Sequence, residues 1–417
     1  MNVPKLRFKE FNGEWEEKTF RDIVSLNLVP VEKPNTDYVR LGIRSHCKGT
    51  FHELVKIENL LEADKMFLVP KDNLILNITF AWEHAIAITS ENDEGKYVSG
   101  RFPTFAFKKN EVPAFYESII RSKRMKYELG VASPGGAGRN RVLNKELFLD
   151  IPVKTTGFEE QTRIAEFVKC IDKKIENQKL VAESLENQKK GLMQKIFSQE
   201  LRFKDDDGKE FPAWEEKKFD SVFEFLPTNT YSREEASFFD GVIQNIHYGD
   251  ILTKYSSIVD LDRVKLPYLS SEIEYKEEKL EKSKIKDGDI VIADTAEDYT
   301  VGKVCEVTNV GQGIVVAGLH TMLCRVTQGV SFASGYLGYY MNSSAYHDQL
   351  LPLIVGTKVS SIAKKYLIKT VLQVPCLKEQ EKIVGLLLAI DQKVEITKKE
   401  LEYWQQIKKG LLQQMFV

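Results

Sequence analysis

The sequence predicts an α+β protein. Two α/β heads are joined and spaced by two long helices that form an antiparallel coiled coil, giving pseudo-twofold symmetry. Three observations lead there. First, the chain repeats itself: Leu143 to Phe197 overlays Ile362 to Phe416 with a constant shift of 219 and no gap. Glu160-Gln161 falls on Glu379-Gln380, Ile171-Asp172 on Ile390-Asp391, and Lys190-Gly191-Leu192 on Lys409-Gly410-Leu411. Second, both repeated stretches carry a heptad pattern. Third, the segments before them alternate like strands and differ from each other. An internal duplication of this kind builds one supersecondary unit twice.

The opening of each half also matches. Leu6-Arg7-Phe8 recurs as Leu201-Arg202-Phe203, and Gly13 to Phe20 resembles Pro212 to Phe219, with Trp15 facing Trp214. The repeat order is cyclic, because the start of the chain resembles the segment just after the first long helix. Antiparallel packing of the helices predicts that the chain start lies by the end of the second helix.

Each head is then read in order. Strand-like runs in the first are 38–43, 73–82, 84–89 and 104–107, followed by a helical stretch at 112–129. β-branched and aromatic residues bounded by turn residues mark such strands. The second head has the same order: runs at 241–246, 289–293, 302–307 and 322–326, then a helix at 334–350. The long helices come next. Ile164, Ile171, Gln178, Leu185 and Leu192 recur every seventh residue, with Val168, Ile175, Ala182, Lys189 and Ile196 four places on. The second copy gives Ile383, Ile390, Thr397, Trp404 and Leu411, with Leu387, Val394, Leu401, Lys408 and Met415. Eight of ten positions are apolar in each copy, and the exceptions coincide, Gln178 with Thr397 and Lys189 with Lys408. A frame sustained this far favours a coiled-coil seam over one amphipathic helix on its own domain. Each helix is long enough, at about 1.5 Å per residue, to act as a spacer of about 50 Å.

Composition narrows the class. The 417 residues exceed one core and suit two domains with connectors. Lys plus Arg number 59 against 61 Asp plus Glu, so the chain as a whole lacks the basic balance of many nucleic-acid binders. The five cysteines lack CxxC spacing, which fits a reduced set rather than disulfides or a zinc site. The Met1 end has no signal-peptide core and no run of about 18 apolar residues occurs, so a soluble, cytoplasmic protein is expected.

Catalytic signatures are missing. There is no Walker A loop, no His-Glu-x-x-His, no Gly-x-Ser-x-Gly and no Asn-Pro-Pro-Tyr-type motif, and the six histidines are scattered. No metal site is expected. Local basic loops remain. Between Arg121 and Glu146 seven basic residues face two acids, and this stretch holds Ser133 to Arg141, with four glycine or alanine positions ahead of Arg139, Asn140 and Arg141. The corresponding place in the second half carries Lys358, Ser360, Ser361 and Lys364, with no acid from Leu350 to Lys369. Small residues let backbone approach a ligand, and Arg-Asn-Arg offers donors to phosphates or base edges. A solvated turn explains one such loop; two at equivalent positions favour function. Further candidate contacts are Arg44, His46 and Lys48, then Arg101, in the first head. In the second they are Asn245, His247 and Tyr248, then Thr295 and Lys303. Gly49 and Gly249 mark loops of corresponding position. Trp82 and Tyr299 are weaker candidates.

The ordered set resembles the specificity subunit of a type I restriction–modification system. The carrying features are the Glu-Gln helix starts, the Lys-Gly-Leu helix ends, Asn77 to Trp82 with Arg101 to Phe105, Tyr248 to Ile251 and Asp298 to Gly302. The resemblance spans essentially the whole chain, though no one motif is specific. Thr155-Thr156 stand where the second half has Val374-Pro375, a departure at the helix start. The resemblance implies target-recognition domains at 1–157 and 200–376, a central spacer helix at 158–199 and a C-terminal one at 377–417. It implies a non-catalytic chain whose domains each read half of a split double-stranded DNA site. The partners implied are two modification subunits, which methylate adenine with S-adenosylmethionine, and restriction subunits that cut with ATP and Mg. This chain itself is expected to bind no cofactor. The competing reading is a coiled-coil assembly scaffold without DNA readout. It explains the repeat and the charge balance, but not two unlike heads with basic loops at one place.

Overall fold

A computed structural model describes residues 3–57, 65–136, 141–239, 241–270, 277–356 and 358–416. The chain forms two compact units, Met1–Lys179 with Lys399–Val417, and Leu180–Lys398. The long helices are Phe158–Phe197 and Leu377–Met415, and each gives one half to each unit. Helix and head are therefore not separate bodies, because each head's core closes over helix residues.

In the first unit a central strand, Asn73–Leu76, pairs antiparallel with Thr104–Phe107 on one side and Ile86–Ile88 on the other, and Val24–Leu26 adds an edge. A second sheet runs Val29–Val31, Met66–Leu68, Tyr97–Ser99, Tyr38–Ile43, Thr50–Val55. Phe20, Phe105, Phe115, Tyr116 and Phe148 fill the core, together with Ile164 and Met415 from the helices. Burying such aromatics supplies most of the driving force, at roughly 25 cal/mol per Å².

The second unit repeats the plan. Its central strand, Ile290–Ala293, pairs with Thr321–Val326 and Val304–Thr308, flanked by Phe223–Leu226 and by Ile258–Asp260. A second sheet runs Ala236–Ser237, Tyr268–Leu269, Ile243–Ile246, Ile314–Ala317. Phe197, Phe219, Tyr336, Tyr340, Ile383 and Leu387 belong to one buried cluster.

The strands fall where alternation predicts, with two corrections. The 73–82 run ends as a strand at Leu76 and continues into a turn with a 3-10 segment, Ala81–Glu83. Each expected head helix is two. The first breaks into Pro113–Ile120 and Lys123–Val131, because the Ser122 hydroxyl accepts from the Met125 amide and starts a new helix. The second breaks into Tyr336–Met341 and Ser344–His347 at Ser343.

The heptad frame is met along both helices: none of its twenty residues is exposed. Within the first unit Asp172 pairs with Lys408, and Gln178 donates to Glu400. Within the second, Lys189 pairs with Asp391 at 2.6 Å and Glu186 with Lys398 at 2.5 Å. In both units a higher number on one helix meets a lower number on the other, so the halves run antiparallel. The lysines that break the frame are Lys189 and Lys408. Their partners, Asp391 and Asp172, are also equivalent, so one ion pair occurs twice.

The helix starts are clamped alike. Arg7 grips both oxygens of buried Glu160 at 2.7 Å, and Arg202 grips Glu379 at 3.1 and 2.7 Å. The neighbouring glutamines hold the heads. Gln161 accepts from the Val112 amide at 2.9 Å, and Gln380 from the Ala333 amide at 2.9 Å. The Thr155-Thr156 departure has a use here. Gln161 donates to the Thr155 hydroxyl at 3.0 Å and the Thr156 carbonyl at 2.7 Å, whereas among the described residues Gln380 donates to the Pro375 carbonyl alone, at 2.8 Å. The cyclic order is visible too. The Leu201 amide bonds the Lys195 carbonyl, and in the first unit the Leu6 amide bonds the equivalent Gln414 carbonyl, both at 2.9 Å.

Candidate nucleic-acid interface

In the first unit the strand Tyr38–Ile43 runs into a tight turn. His46, Cys47 and Gly49 all have positive φ, at +62°, +52° and +83°. Two bonds to the 81–84 segment hold it there: the His46 amide to the Glu83 carbonyl and the Cys47 amide to the His84 carbonyl, both 2.8 Å. Ser45 adds its hydroxyl to the Glu83 carboxylate at 2.7 Å. A left-handed turn is costly for non-glycine residues and persists only where its surroundings fix it. The result presents Arg44, His46 and Lys48 to solvent. The Arg44 guanidinium lies 5.1 Å from the Phe51 ring centre.

The adjoining turn carries Trp82, and Arg141 stacks over it at 5.4 Å. Arg141 also donates to the Gly130 carbonyl at 2.6 Å and the Ser133 carbonyl at 3.1 Å. Its fork caps the end of the Lys123–Val131 helix with two of its five N–H donors, Nε and one on Nη2, which corrects the expectation of a free forked contact to phosphates or base edges. Arg101 is exposed, and its carbonyl accepts from the Ile78 amide at 3.0 Å in the same turn region. Arg139 and Asn140 lie outside the described residues. Leu143 is tied back by its amide to the Ile78 carbonyl at 2.8 Å. Thus the 44–49 turn, the 77–84 turn, Arg101 and Arg141 meet around one segment.

In the second unit the candidates divide. Asn245 is fully buried and accepts from Asn229 at 2.9 Å, under the Gly318 backbone. It is structural, which corrects its reading as a contact. His247 is 8% exposed, and its Nδ1 accepts from the Gly249 amide at 3.2 Å, capping the helix Tyr248–Thr253. Burial lowers its pKa, opposed by Asp250. It too is a framework residue. The expected likeness of the Gly49 and Gly249 loops fails in shape, since one is a left-handed turn and the other a helix start.

The rest gather at one edge. Thr295–Ala296 pairs antiparallel with Ser360–Ser361, placing Thr295 opposite Ser361. The Thr295 hydroxyl meets His320 Nδ1 at 3.3 Å, and His320 lies edge-on to Tyr248 with centres 5.3 Å apart. Two loops 65 residues apart in sequence, 361 − 296, are thereby joined with Tyr248. Lys358 and Lys364 are exposed beside them, Lys364 over the Phe225 ring at 5.0 Å. Lys303 is half-buried and donates to the Leu252 carbonyl at 2.9 Å, with its pKa lowered by burial.

Two residues at these surfaces escaped sequence reasoning. His320 has positive φ and bridges Thr295 and Tyr248. Tyr127 sits beside Trp82 on the Lys123–Val131 helix, next to Lys126 of the basic stretch. Its helical spacing from Lys123 was available as a signal; for His320 no sequence signal exists. Among the described residues no group of three His, Cys, Asp or Glu is placed to hold a metal, and no helix is long and apolar enough to cross a membrane.

The resemblance read from the sequence is borne out by known proteins. The chain is 24% identical over 389 residues to the type I restriction enzyme MjaVIII specificity subunit of Methanocaldococcus jannaschii, covering 91% of this chain and 83% of that one. No family model matches the chain. Two solved structures share the fold. One, from work on assembly and conformational transition of the type I R-M system, has a TM-score of 0.57 at 16% identity, covering 98% of this chain and 99% of that one. The S subunit of a type I restriction–modification system from M. genitalium has a TM-score of 0.53 at 13% identity, covering 100% and 99%.

Proposed function

We propose that this chain is the non-catalytic, sequence-reading subunit of a type I restriction–modification assembly. Each head reads one half of a two-part DNA site. The long helices set the gap between the halves and dock two modification subunits. S-adenosylmethionine, ATP and Mg are used by partner subunits, including restriction subunits, and not by this chain. The observation that carries the reading is a contrast within the chain. The helix clamp and the seam ion pair are duplicated, while the surfaces beside them are built from different residues. A pure scaffold gives no reason for that difference.

Genome-wide mapping of methylated adenine, in cells carrying the chain with its partner subunits, tests the reading. Exchanging residues 20–142 for another head is expected to change one half of the methylated site and leave the other half and the gap. Inserting about four residues before Gln178, roughly 6 Å of helix, is expected to widen the gap by one or two base pairs with both halves kept. Such an insertion is a stutter and lowers affinity somewhat. A head exchange that changes both halves overturns the division of labour. An assembly that leaves no footprint on its own methylated site favours the scaffold.

A further inference from the structure

Each unit carries a hollow between the turn that follows its central strand and a later helix of its head. In the first it measures about 440 Å³ and is lined by Trp82, Lys123, Lys126, Tyr127 and Arg141. In the second it measures about 550 Å³, with Tyr299, Lys303, Ser344 and His347 as the corresponding walls; the long helix adds a third wall, with Glu186 and Lys190, that the first hollow lacks. The equivalence rests on topology. Trp82 stands six residues beyond the central strand Asn73–Leu76, and Tyr299 six beyond Ile290–Ala293. The opposite wall is in each case the helix that begins after a serine, Ser122 or Ser343. In both units a histidine ring nitrogen on a carbonyl ties the turn to the helical part of the head, in the first to the end of the preceding helix Pro113–Ile120 and in the second to the wall helix itself. His84 meets the Ile120 carbonyl at 2.6 Å, and His347 meets the Val301 carbonyl at 2.8 Å.

From this recurrence we infer that the two hollows seat the sugar-phosphate backbone of DNA, one on each head, and read no bases. The inference rests on the DNA-reading function proposed above and divides its labour. Features that differ between the heads, such as the 44–49 turn and the 295/361 edge, suit half-sites of different sequence. A feature that recurs suits what all DNA shares. The chemistry agrees. Each hollow pairs lysines with an aromatic face, and a lysine is a point charge suited to phosphate rather than a fork suited to a base edge. The one fork present, on Arg141, is turned onto backbone carbonyls. Tyr127 and Tyr299 are 70% and 76% exposed, leaving large ring surfaces in water with a deoxyribose-sized partner to cover. Lys303 keeps its ammonium in a half-buried wall with a carbonyl as its hydrogen-bond acceptor. A phosphate entering that hollow would supply the missing charge.

The test uses the chain assembled with its modification subunits. Binding to a duplex carrying the methylated site, and to an unrelated duplex, is measured between about 50 and 200 mM salt, where phosphate contacts set the slope. The double variant Lys123→Ala/Lys126→Ala is expected to weaken both duplexes by the same factor. It should lower the slope of log affinity against log salt by about two, one per lysine. Lys190→Ala is expected to do the same by about one, and Lys303→Met likewise. The methylated sequence should be unchanged. An altered methylated sequence, or an unaltered slope, overturns the inference. Lys123, Lys126 and Lys190 are exposed, so these variants keep the fold even if Lys303→Met does not. An unmodified assembly that binds neither duplex in a salt-dependent way would instead overturn the DNA-reading function itself.

Discussion

The two helix starts and the two heads teach different things. At the helix starts the units agree nearly atom for atom: an arginine from a Leu-Arg-Phe segment forks onto a buried glutamate, and the next glutamine holds the head. In the heads the same topology carries unlike surfaces. The first unit presents the left-handed turn at 44–49, whereas the second presents the paired edge of Thr295–Ala296 with Ser360–Ser361. Contacts that set geometry are duplicated, and contacts facing outward have diverged.

The duplicated clamp is where the largest effect is expected, and it is not quite symmetric. Glu379 is fully buried and also accepts from the Trp214 indole at 3.0 Å. Glu160 is 3% exposed and takes the Thr156 hydroxyl in addition to Arg7. Removing one partner of a buried pair strands the other, at about 3–5 kcal/mol. Glu379→Ala is expected at the upper end and Glu160→Ala at the lower, read by chemical denaturation. A larger loss at Glu160 would break the comparison.

Next comes pH. Burial pushes the Glu306 carboxyl up to about 7, despite amide bonds from Gly335 and from Gly338 at 2.9 Å. The native state then holds a proton that the unfolded chain has released. Stability from this group therefore falls as pH rises from the ordinary carboxylate range through about 7, by up to about 3 kcal/mol. Glu160 acts in the opposite sense. Burial raises its pKa, but Arg7 and Thr156 outweigh that and hold it low. Its contribution is present above the ordinary carboxylate range and lost as pH falls through the lowered value. Glu306→Gln should remove the fall toward pH 7, and Glu160→Gln should remove the loss in acid. A pH profile unchanged by Glu306→Gln sinks this account.

How much of this was legible in the sequence depends on the range of each contact. The heptad frame is periodic, so the seam and the equivalence of Lys189 with Lys408 could be read directly. The aspartates that answer those lysines could not be assigned as partners, because they lie on the other helix more than 200 residues away. In the heads composition misled. Asn245 reads as a polar loop residue but is walled in by Asn229 and the Gly318 backbone. Arg141 reads as a donor beside small residues but serves the Gly130 and Ser133 carbonyls at the end of the Lys123–Val131 helix. Arg141→Ala is accordingly expected to cost about 1–2 kcal/mol, from two lost bonds to carbonyls and the lost stacking on Trp82. A loss of one specific base in the methylated site with no change in stability would restore it as a reader.

The smallest expected effect bears on the seam itself. Lys408 and Asp172 are 25% and 45% exposed, Lys189 and Asp391 19% and 28%. Pairs this exposed contribute about 0–1 kcal/mol. The second pair has more around it: the Tyr339 hydroxyl donates to Asp391 at 2.7 Å, and the Lys189 ammonium lies 5.0 Å from the Tyr339 ring centre. Lys189→Met should therefore cost a few tenths of a kcal/mol more than Lys408→Met, because it also loses a cation–π contact. Neither loss is large, yet both lysines occupy frame positions where an apolar residue would pack. A polar residue at such a position fixes register at a cost in stability. The double variant, Lys189→Met with Lys408→Met, should thus be nearly as stable as the unaltered chain but less strict in register. Adenine-methylation mapping reads that directly, as methylated sites with more than one gap length. A double variant that keeps a single gap while losing several kcal/mol would show that the pair holds the helices together and does not align them.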